Sequence, residues 1–591
     1  MILSIDSTLK TFKSVRFHEG LNVLLSDKSS DGDNAKTRNS AGKSSLVEIV
    51  HFLLGAKADP DSLLRHEALN DAVFHGVFQI AGRRVEASRS GTKHGRICLD
   101  AATVEHFALP TKPDKETGAR TISNEEWKAF LAHHMFDFPE FIRGSAFEDS
   151  FSPSFRSLVG YFARRDGSGG FAHVERQAEL QSRWDWQVNL SYLLGLDWQI
   201  PRALQLVKKR EGQLGELKKA VEDGTFGVVI GSVGELRDAV AHAEVRAVKL
   251  RGELARFQVL EAYREMMDQA TRAKVEIQAI ARRTVPLRET VAHLKASIEA
   301  ERIPERSDVG RLYASVGIEL PEVAVRSFDD VARFHKAVVE NRRLHLREEI
   351  EGIERQIAEG EARSATLDAQ RGEILRMLDG HGALEDFVVL QKRLAEAEAE
   401  LASLKERFKS AEALASQTTE LTIERIGIKR RLQEDHQQRR ERLDRAILLV
   451  GGAIQTLYED RKGRFEIEAT ENGPEFRITI QGDRGGGISN MEIFCLDYAI
   501  FSIWTTRSKG PGFLIHDSHL FDPVDPRQVA RALGLAGGFA DLFGGQYIVA
   551  LNSDVYDRLE LPDGIDREAA VVTPRLSDAD ETSGLFGFRF D

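Results

Sequence analysis

The chain has 591 residues, about four domains at roughly 150 residues each, and 42% of them are hydrophobic. Lysine and arginine total 81 against 93 acidic residues, a net charge of −12, which excludes a protein that is basic over its whole surface. Two cysteines, Cys98 and Cys495, exclude a disulfide framework and a cysteine-rich zinc module. The sequence shows no apolar run of about 20 residues and no signal-peptide pattern, which predicts a cytoplasmic protein that does not contact a membrane.

The first segment, residues 1–201, mixes short β-type runs with helical patterns and contains a candidate phosphate loop. In a Walker A loop, backbone amides wrap the phosphates, a lysine reaches the outer phosphates and a hydroxyl binds Mg²⁺. Lys43 and Ser44 suit the last two roles, although Thr37 stands where the motif usually begins with glycine. An apolar strand precedes the loop, and a helix follows it and directs its positive end at the anion. We therefore predict nucleotide binding by the loop residues Asn39, Ser40, Ala41, Gly42, Lys43, Ser44 and Ser45.

Residues 202–448 are rich in Glu, Arg, Lys, Ala, Leu and Gln, and their apolar residues recur at spacings of three and four. Ordinary bundle helices show such stripes too, but the length of the two stretches favours an antiparallel coiled-coil hairpin. We predict an outgoing arm at 202–300, a reversal at 301–335 and a returning arm at 336–448. The apolar positions are clearest in the returning arm, at Leu346, Ile350, Ile353, Ile357, Leu394, Ala397, Leu401, Leu404, Phe408 and Ala411.

Glycine-rich stretches at 224–234 and 378–387 interrupt the two arms, because glycine costs about 1 kcal/mol relative to alanine inside a helix. A straight arm of about 95 residues would reach at most about 140 Å. The sequence leaves open whether the interruptions fold the arms back. Pairing of the arms would bring residues 1–201 and 449–591 together, and we predict that these two pieces complete one domain.

The last segment, 449–591, contains an apolar strand that ends in His516 and Asp517. A P-loop ATPase holds Mg²⁺ with an acidic residue at a second strand end, so Asp517 is the predicted Walker B aspartate. Ser518 stands where a glutamate normally polarises the attacking water, and His519 follows it. Asp517, Ser518 and His519 are therefore the candidate catalytic residues. For the two histidines, strand-end packing or a metal pair with Asp517 remains the alternative.

Three more stretches of this segment have the composition of nucleotide-contacting loops. A glycine-rich turn, Gly485–Ser489, opens an apolar helix and would offer free amides to a γ-phosphate, although a triple glycine is often only a flexible turn. A proline-constrained loop contains Asp522 and Asp525, and a further apolar strand ends at Asn552. The predicted nucleotide contacts from these stretches are Gly486, Gly487, Ser489, Asp525 and Asn552.

In this order, the motifs resemble those of the SMC and RecN-like ABC ATPases. The stretches NSAGKSSL, SPSFRSLVGYFARR, GGGISNMEIFCLDYAI and FLIHDSHLFDPVDPRQ are similar to a bacterial subfamily of ABC-three-component and other defence-type gene clusters, whose C-terminal domain is of unknown function. The resemblance implies an α/β fold: a bipartite ABC-type P-loop ATPase head with a long antiparallel coiled-coil hairpin inserted. It also implies ATP and Mg²⁺ as cofactors and a metal-sensing glutamine, so that Ser44, Asp517 and Gln187 would surround the metal. Gln177 and Gln181 are the alternatives to Gln187.

Two functions are compatible with these features. In the first, the heads form a homodimer on ATP-Mg²⁺ and couple slow hydrolysis to DNA binding or sensing, with an accessory or effector protein encoded nearby. In the second, the chain is a nucleotide-gated scaffold that regulates a partner with little turnover and no DNA contact. The basic clusters at 208–210, 429–431 and 439–440 lie among acidic residues, which favours solvated helix faces, so DNA binding rests mainly on the resemblance. The Ser518 replacement predicts slow hydrolysis.

Overall fold

The computed structural model separates into two compact units, Met1–Val207 with Arg425–Asp591, and Lys208–Glu424. We call the first unit the head and the second the insertion. The predicted boundaries lay at 201/202 and 448/449, whereas the units change at 207/208 and 424/425. The structure describes residues 1–27, 42–60, 62–114, 117–139, 151–222, 232–255, 264–300, 322–377, 383–482, 485–577, 582–588 and 590.

The strands of the described residues all belong to the head. In chain order they are β1 (Ile2–Ser7), β2 (Val15–Arg16), β3 (Gly20–Asp27), β4 (Val73–Ile80), β5 (Arg83–Ser90), β6 (Arg96–Leu99), β7 (Lys112–Pro113), β8 (Arg120–Ser123), β9 (Gly463–Thr470), β10 (Gly473–Ile480), β11 (Phe513–His516), β12 (Gln546–Asn552) and β13 (Leu576–Ser577).

Helices occur in both units, and α6 and α10 continue across the unit boundaries. They are α1 (Lys43–Leu53), α2 (Ala101–His106), α3 (Asn124–Phe136), α4 (Phe155–Val159), α5 (Arg183–Leu193), α6 (Gln199–Glu222), α7 (Val233–Ala255), α8 (Arg264–Ala300), α9 (Glu322–Met377), α10 (Ala383–Gln438), α11 (Arg440–Leu457), α12 (Gly486–Thr505), α13 (Pro526–Phe543) and α14 (Ser553–Tyr556).

An antiparallel sheet in the N-terminal part of the head has the strand order β2–β1–β4–β5–β6–β8–β7. Strand β4 shows why these residues form it: buried and half-buried side chains alternate along its whole length. This period of two places Phe74, Phe78 and Ile80 on one face, where they join the hydrophobic core. Strands β9 and β10 pair separately as an antiparallel hairpin.

A parallel sheet with the order β11–β12–β3–β13 positions the candidate site. Strands β3 and β12 are almost continuously buried, as expected for parallel strands that are covered on both faces. Because paired parallel strands end at the same edge, the carboxyl ends of β11, β12 and β3 meet there. The fold is α/β, and the sheet is built from both parts of the head, since β3 precedes the insertion and its neighbours follow it.

In the insertion, α7 lies antiparallel to α10, and α8 lies antiparallel to α9. The predicted apolar seam of α9 is confirmed, since Leu346, Ile350, Ile353 and Ile357 pack with Val291 and Leu294 of α8. Ion pairs flank the helices, and their register gives the directions: Arg237–Glu412 (3.4 Å), Arg251–Glu398 (2.7 Å), Lys295–Glu354 (2.7 Å) and Arg363–Glu276 (2.9 Å).

The arms of the insertion are folded back. Arg282–Glu398 (3.6 Å) and Arg407–Glu289 (2.9 Å) show that α8 runs parallel to α10, whereas α7 runs antiparallel to it. The chain therefore reverses between α7 and α8, a reversal that the heptad analysis does not predict.

A second reversal lies between α9 and α10, where Arg371 contacts Gln391 at 3.4 Å near the facing helix ends. The predicted reversal at 301–335 was too long, since α9 already begins at Glu322, and the predicted interruptions at 224–234 and 378–387 were too long as well, since α7 begins at Val233 and α10 at Ala383. Residues 223–231, 301–321 and 378–382 lie outside the described part. No helix in the described part is long and apolar enough to span a membrane.

Candidate functional site

The start of α1 is the described part of the predicted phosphate loop. Gly42 precedes the helix with φ +86°, a conformation that favours glycine, and its carbonyl accepts a hydrogen bond from Leu46. Lys43 is 8% exposed, and its Nζ donates a hydrogen bond to Oδ1 of Asn552 at the end of β12. Ser44 is exposed and Ser45 half-buried. The other loop residues singled out in the sequence, Thr37, Asn39, Ser40 and Ala41, lie outside the described residues.

Asp517 follows β11 at the same edge of the sheet and is almost fully buried. Its Oδ1 accepts a hydrogen bond of 2.7 Å from the backbone amide of Ser518, which fixes the carboxylate at the turn. His519 lies beside it, with Nδ1 3.6 Å from Asp517 Oδ2 and Nε2 3.7 Å from Asp166 Oδ2. The structure thus brings Asp517, Ser518 and His519 together and adds Asp166, which the sequence analysis missed.

Asp166 reaches the site because the residues before it extend the sheet beyond β11. The amide of Ile515 donates to the carbonyl of Phe162 at 2.8 Å, and Ala163 forms a parallel bridge with Ile515. The segment Phe162–Asp166 therefore ends at the same edge as β11. A short run of aromatic and apolar residues before two arginines, YFARRD, is too brief a pattern to predict a strand.

Two of the three glutamines proposed as metal sensors, Gln187 and Gln181, have described hydrogen-bond partners other than Lys43 and Asp517. Gln187 on α5 donates through Nε2 to the carbonyls of Asn472 (2.9 Å) and Pro474 (3.0 Å) in the β9–β10 hairpin. Gln181 is bound to Asp185 and to the amide of Gln177. None of these contacts includes Asp517 or Lys43, so the inferred Ser44–Asp517–Gln187 metal set is not brought together by them. Gln187 lies within α5, whereas the segment that extends the sheet beside β11 is Phe162–Asp166.

The glycine-rich turn forms the N-terminus of α12. Gly487 is required by close packing, since a Cβ at this position would lie 2.5 Å from the carbonyl oxygen of Pro523. Gly486 is exposed and Ser489 half-buried. Asn490 ties the helix to the turn after Asp517, because its Nδ2 donates to the carbonyls of His519 (3.1 Å) and Leu520 (2.9 Å).

The loop before α13 carries two aspartates with different roles. Asp525 is the N-cap of α13: its side chain accepts from the amide of Arg527, and bonds with Arg527 lower its pKa. For Asp522, burial raises the pKa, and the nearby Asp517 and Asp166 raise it further, while His519 and Lys43 lower it. The pKa of Asp522 therefore depends on the charges of the candidate site, whereas Asp525 stabilises the N-terminus of α13.

His516 is turned away from the sheet edge. Its Nε2 lies 3.3 Å from Asp497 Oδ2 and its Nδ1 3.1 Å from the Tyr547 hydroxyl. Burial lowers the pKa of His516, which favours the neutral imidazole. These contacts answer the question that the sequence left open: His516 packs at the strand, and only His519 lies beside Asp517.

The oxygen donors at the edge fit Mg²⁺, which prefers a small number of protein oxygens together with substrate phosphates. Ser44 offers a hydroxyl and Asp517 a carboxylate. The buried hydroxyl of Ser26, at the end of β3, has no hydrogen-bond partner among the described groups. Within the described ranges no group of three or more His, Cys, Asp or Glu residues is placed to hold a metal ion, so a cage made only of these side chains is not formed there.

Two family models match parts of the chain. Residues 453–590 match an uncharacterised protein family conserved in bacteria (DUF2326), and residues 289–415 match C-terminal domain 10 of the ABC-three component (ABC-3C) systems. The second match lies within α8, α9 and α10 of the insertion, between the two parts of the head. No curated protein matches the chain.

Solved structures similar to the chain include two SMC head domains. One, from Pyrococcus yayanosii, has a coiled coil and joint; it is 15% identical, with a TM-score of 0.37, over 99% of this chain and 96% of that one. The other, from Pyrococcus furiosus, has an extended coiled coil bound to the C-terminal domain of ScpA; it is 11% identical, with a TM-score of 0.31, over 94% and 90%. The chain thus combines a split α/β head with a helical insertion, and the two family matches fall in the second part of the head and in the insertion.

Proposed function

We propose that the head binds ATP with Mg²⁺ at the edge where β3, β11 and β12 end, and hydrolyses it slowly. The observation that carries this proposal is the convergence of Lys43, at the start of α1, with Asn552 at the end of β12 and Asp517 directly after β11. A lysine at the start of the helix that follows one strand and an aspartate at the end of another strand of the same sheet are the pair that a P-loop ATPase uses for phosphate and metal.

In this proposal, Lys43 contacts the outer phosphates and the N-terminus of α1 supplies backbone amides. The Ser44 hydroxyl and the Asp517 carboxylate would hold Mg²⁺, which would neutralise part of the phosphate charge when bound. Asn552 orients the lysine through its side-chain oxygen. Asp166 takes the place that the sequence analysis gave to Gln187, because its carboxylate shares His519 with Asp517.

Slow hydrolysis follows from the residue at position 518. Ser518 is buried, and its Oγ lies 3.4 Å from Asp517 Oδ1. Because serine has no carboxylate, this position cannot orient the attacking water as a glutamate would. Loss of one acid–base contribution typically costs about 10²–10⁴-fold in rate. His519, 42% exposed between two aspartates, is the described side chain best placed to contact that water.

We also propose that two heads dimerise on ATP, with the glycine-rich start of α12 from one chain facing the phosphate loop of the other. The support is the exposed N-terminus of α12, a helix of 20 residues without a side-chain cap, because the positive end of a helix favours an anion. Closure of the heads would couple ATP to DNA binding or sensing, in a defence or DNA-maintenance system with a partner protein. The alternative function is a nucleotide-gated scaffold without DNA contact.

The test is a comparison of the purified chain with Lys43→Ala by analytical ultracentrifugation, ATP hydrolysis and duplex DNA binding, each with and without ATP-Mg²⁺. We expect ATP-dependent dimers and slow hydrolysis in the unmodified chain, and neither of them in Lys43→Ala. Binding to DNA that weakens steeply with salt supports the DNA-coupled function. Co-purification of a neighbouring gene product without DNA affinity supports the scaffold, and an unchanged size with bound ATP contradicts the dimer.

A further inference from the structure

A buried ion pair joins the parts of the head that surround the candidate site. Arg164 and Asp497 have fully buried side chains, and two bonds link them: Nε to Oδ2 at 2.7 Å and Nη2 to Oδ1 at 2.9 Å. His516 of β11 contacts Asp497 at 3.3 Å, and Tyr547 of β12 contacts His516 at 3.1 Å. We call these four residues the Arg164 clamp.

The clamp fixes α12 through one face of that helix. Asn490, Phe494 and Asp497 are spaced by four and three residues and therefore lie on the same side. Asn490 binds the carbonyls of His519 and Leu520, and the Phe494 ring packs 5.7 Å from the His516 ring. Three points along α12 thus contact β11 and the turn that follows it.

The other end of the clamp holds the segment that carries Asp166. The Arg164 guanidinium donates to the carbonyls of Gly170 (2.8 Å), His173 (3.0 Å) and Val174 (2.7 Å), and also to that of Arg176. These carbonyls belong to the loop after Asp166, so the arginine closes this loop onto α12. Burial of a charged pair costs desolvation free energy, and apolar residues of similar volume often stabilise a protein as well or better. Stability alone therefore does not explain this pair.

We propose that the Arg164–Asp497 pair is a positioning device for hydrolysis, an inference that rests on the proposed ATPase function. The pair sets the position of Asp166 relative to Asp517 and to the glycine-rich start of α12. Both side chains of the pair are fully buried and bonded within the head, so we expect its removal to lower the hydrolysis rate and to leave ATP affinity nearly unchanged. A misplacement of about 1 Å can cost about 10²-fold in rate.

The experiment compares Asp497→Asn with the double variant Arg164→Met and Asp497→Leu, which replaces the whole pair with apolar side chains. Arg89→Met is the matched control, since Arg89 is buried in the head and donates to the carbonyls of Phe52, Ala56 and His94. Each protein is measured for ATP affinity, single-turnover hydrolysis and thermal unfolding. Hydrogen exchange of residues 162–176 and 486–497 is measured without nucleotide.

We expect Asp497→Asn to hydrolyse ATP about 10–100-fold more slowly and to exchange faster in both segments. The double variant recovers the unfolding temperature but not the rate, and Arg89→Met loses stability with an unchanged rate. A double variant that hydrolyses ATP like the unmodified chain, or an Asp497→Asn exchange pattern like that of the unmodified chain, overturns the proposal. If the unmodified chain binds no ATP, the proposed function fails, and the clamp is then judged from the nucleotide-free exchange.

Discussion

Lys43 and Asn552, which are 509 residues apart in the sequence, share a hydrogen bond at the edge of the parallel sheet. Asn552 ends β12, the strand that lies between β3 and β11. The lysine is thereby held at the edge by a neutral side chain, which orients its charge without neutralising it. Both sequence parts of the head therefore contribute to positioning Lys43, the lysine that we propose binds phosphate.

Gly42→Ala is expected to weaken ATP binding. The added Cβ would lie 2.8 Å from the Cβ of Leu585, which is fully buried, and the φ of +86° is unfavourable for alanine. Relief of this contact shifts the start of α1 and therefore Lys43. The control is Gly538→Ala on α13, where a Cβ meets nothing within 4 Å, and there we expect unchanged binding and slightly higher helix stability. Equal ATP affinity in the two variants would show that Leu585 does not constrain the loop.

Asp166→Asn is expected to lower the hydrolysis rate, whereas Gln187→Ala is expected to lower the stability of the fold. Asp166→Asn removes a carboxylate from the site and lowers the hydrolysis rate, because His519 loses one of its two acidic neighbours. Gln187→Ala leaves the carbonyls of Asn472 and Pro474 without their donor and costs about 1–3 kcal/mol of stability. Single-turnover hydrolysis and urea unfolding of both variants check this. Slow hydrolysis by a Gln187→Ala variant of normal stability would instead support a role for Gln187 in the active site.

The substitutions around Asp517 test the missing glutamate. We expect Asp517→Ala to abolish hydrolysis and His519→Ala to slow it further, while Ser518→Glu accelerates it by returning a carboxylate beside the water. Basal turnover is expected well below the roughly 10 s⁻¹ typical of enzymes. Single-turnover hydrolysis with saturating ATP-Mg²⁺ measures all four proteins. Fast basal turnover that survives Asp517→Ala would show that the active site lies elsewhere.

Stability is expected to decrease as the pH falls below about 6.5 because of two buried histidines. Burial lowers the pKa of His51, and Arg156 and Arg165 lower it further; burial likewise lowers that of His516. At low pH the unfolded chain therefore binds protons that the folded chain does not bind. The free energy of unfolding falls by up to about 1.4 kcal/mol per pH unit for each such proton. Urea unfolding at pH 7.5 and 5.5 should show a smaller decrease for His51→Gln than for the unmodified chain. An identical decrease would mean that His51 takes up its proton in the folded state.

The sequence predicts those parts of the molecule that depend on local pattern. The Leu346–Ile357 seam, the strand before Asp517 and the helix after Lys43 follow from periodicity and strand-end chemistry. Asp166 could not be found this way, because it enters the site only when Phe162–Ala163 pairs with β11. The order of motifs in the resembling family pointed to Gln187, whose described hydrogen bonds go to the carbonyls of Asn472 and Pro474 in the β9–β10 hairpin.

The chain reversals between α7 and α8 and between α9 and α10 could not be predicted from the sequence either. Heptads specify that helices pair, but the same apolar stripe serves an antiparallel partner or a parallel one. The contacts of Glu398 with both Arg251 and Arg282 reveal the arrangement, since α7 and α8 reach the same place on α10 from opposite directions. Only the tertiary register distinguishes this folded form from a straight hairpin.

Equilibrium binding of ATP, with Mg²⁺ and with EDTA, tests the central claim of a nucleotide site completed by both parts of the head. The proteins to compare are the unmodified chain, Lys43→Ala, and Lys57→Ala, whose exposed lysine pairs only with Asp59 among the described ion pairs. We predict saturable, Mg²⁺-dependent binding in the unmodified chain and in Lys57→Ala, and a loss of at least about 100-fold in Lys43→Ala, because a charge-assisted phosphate contact is removed. Undiminished affinity in Lys43→Ala would contradict the account.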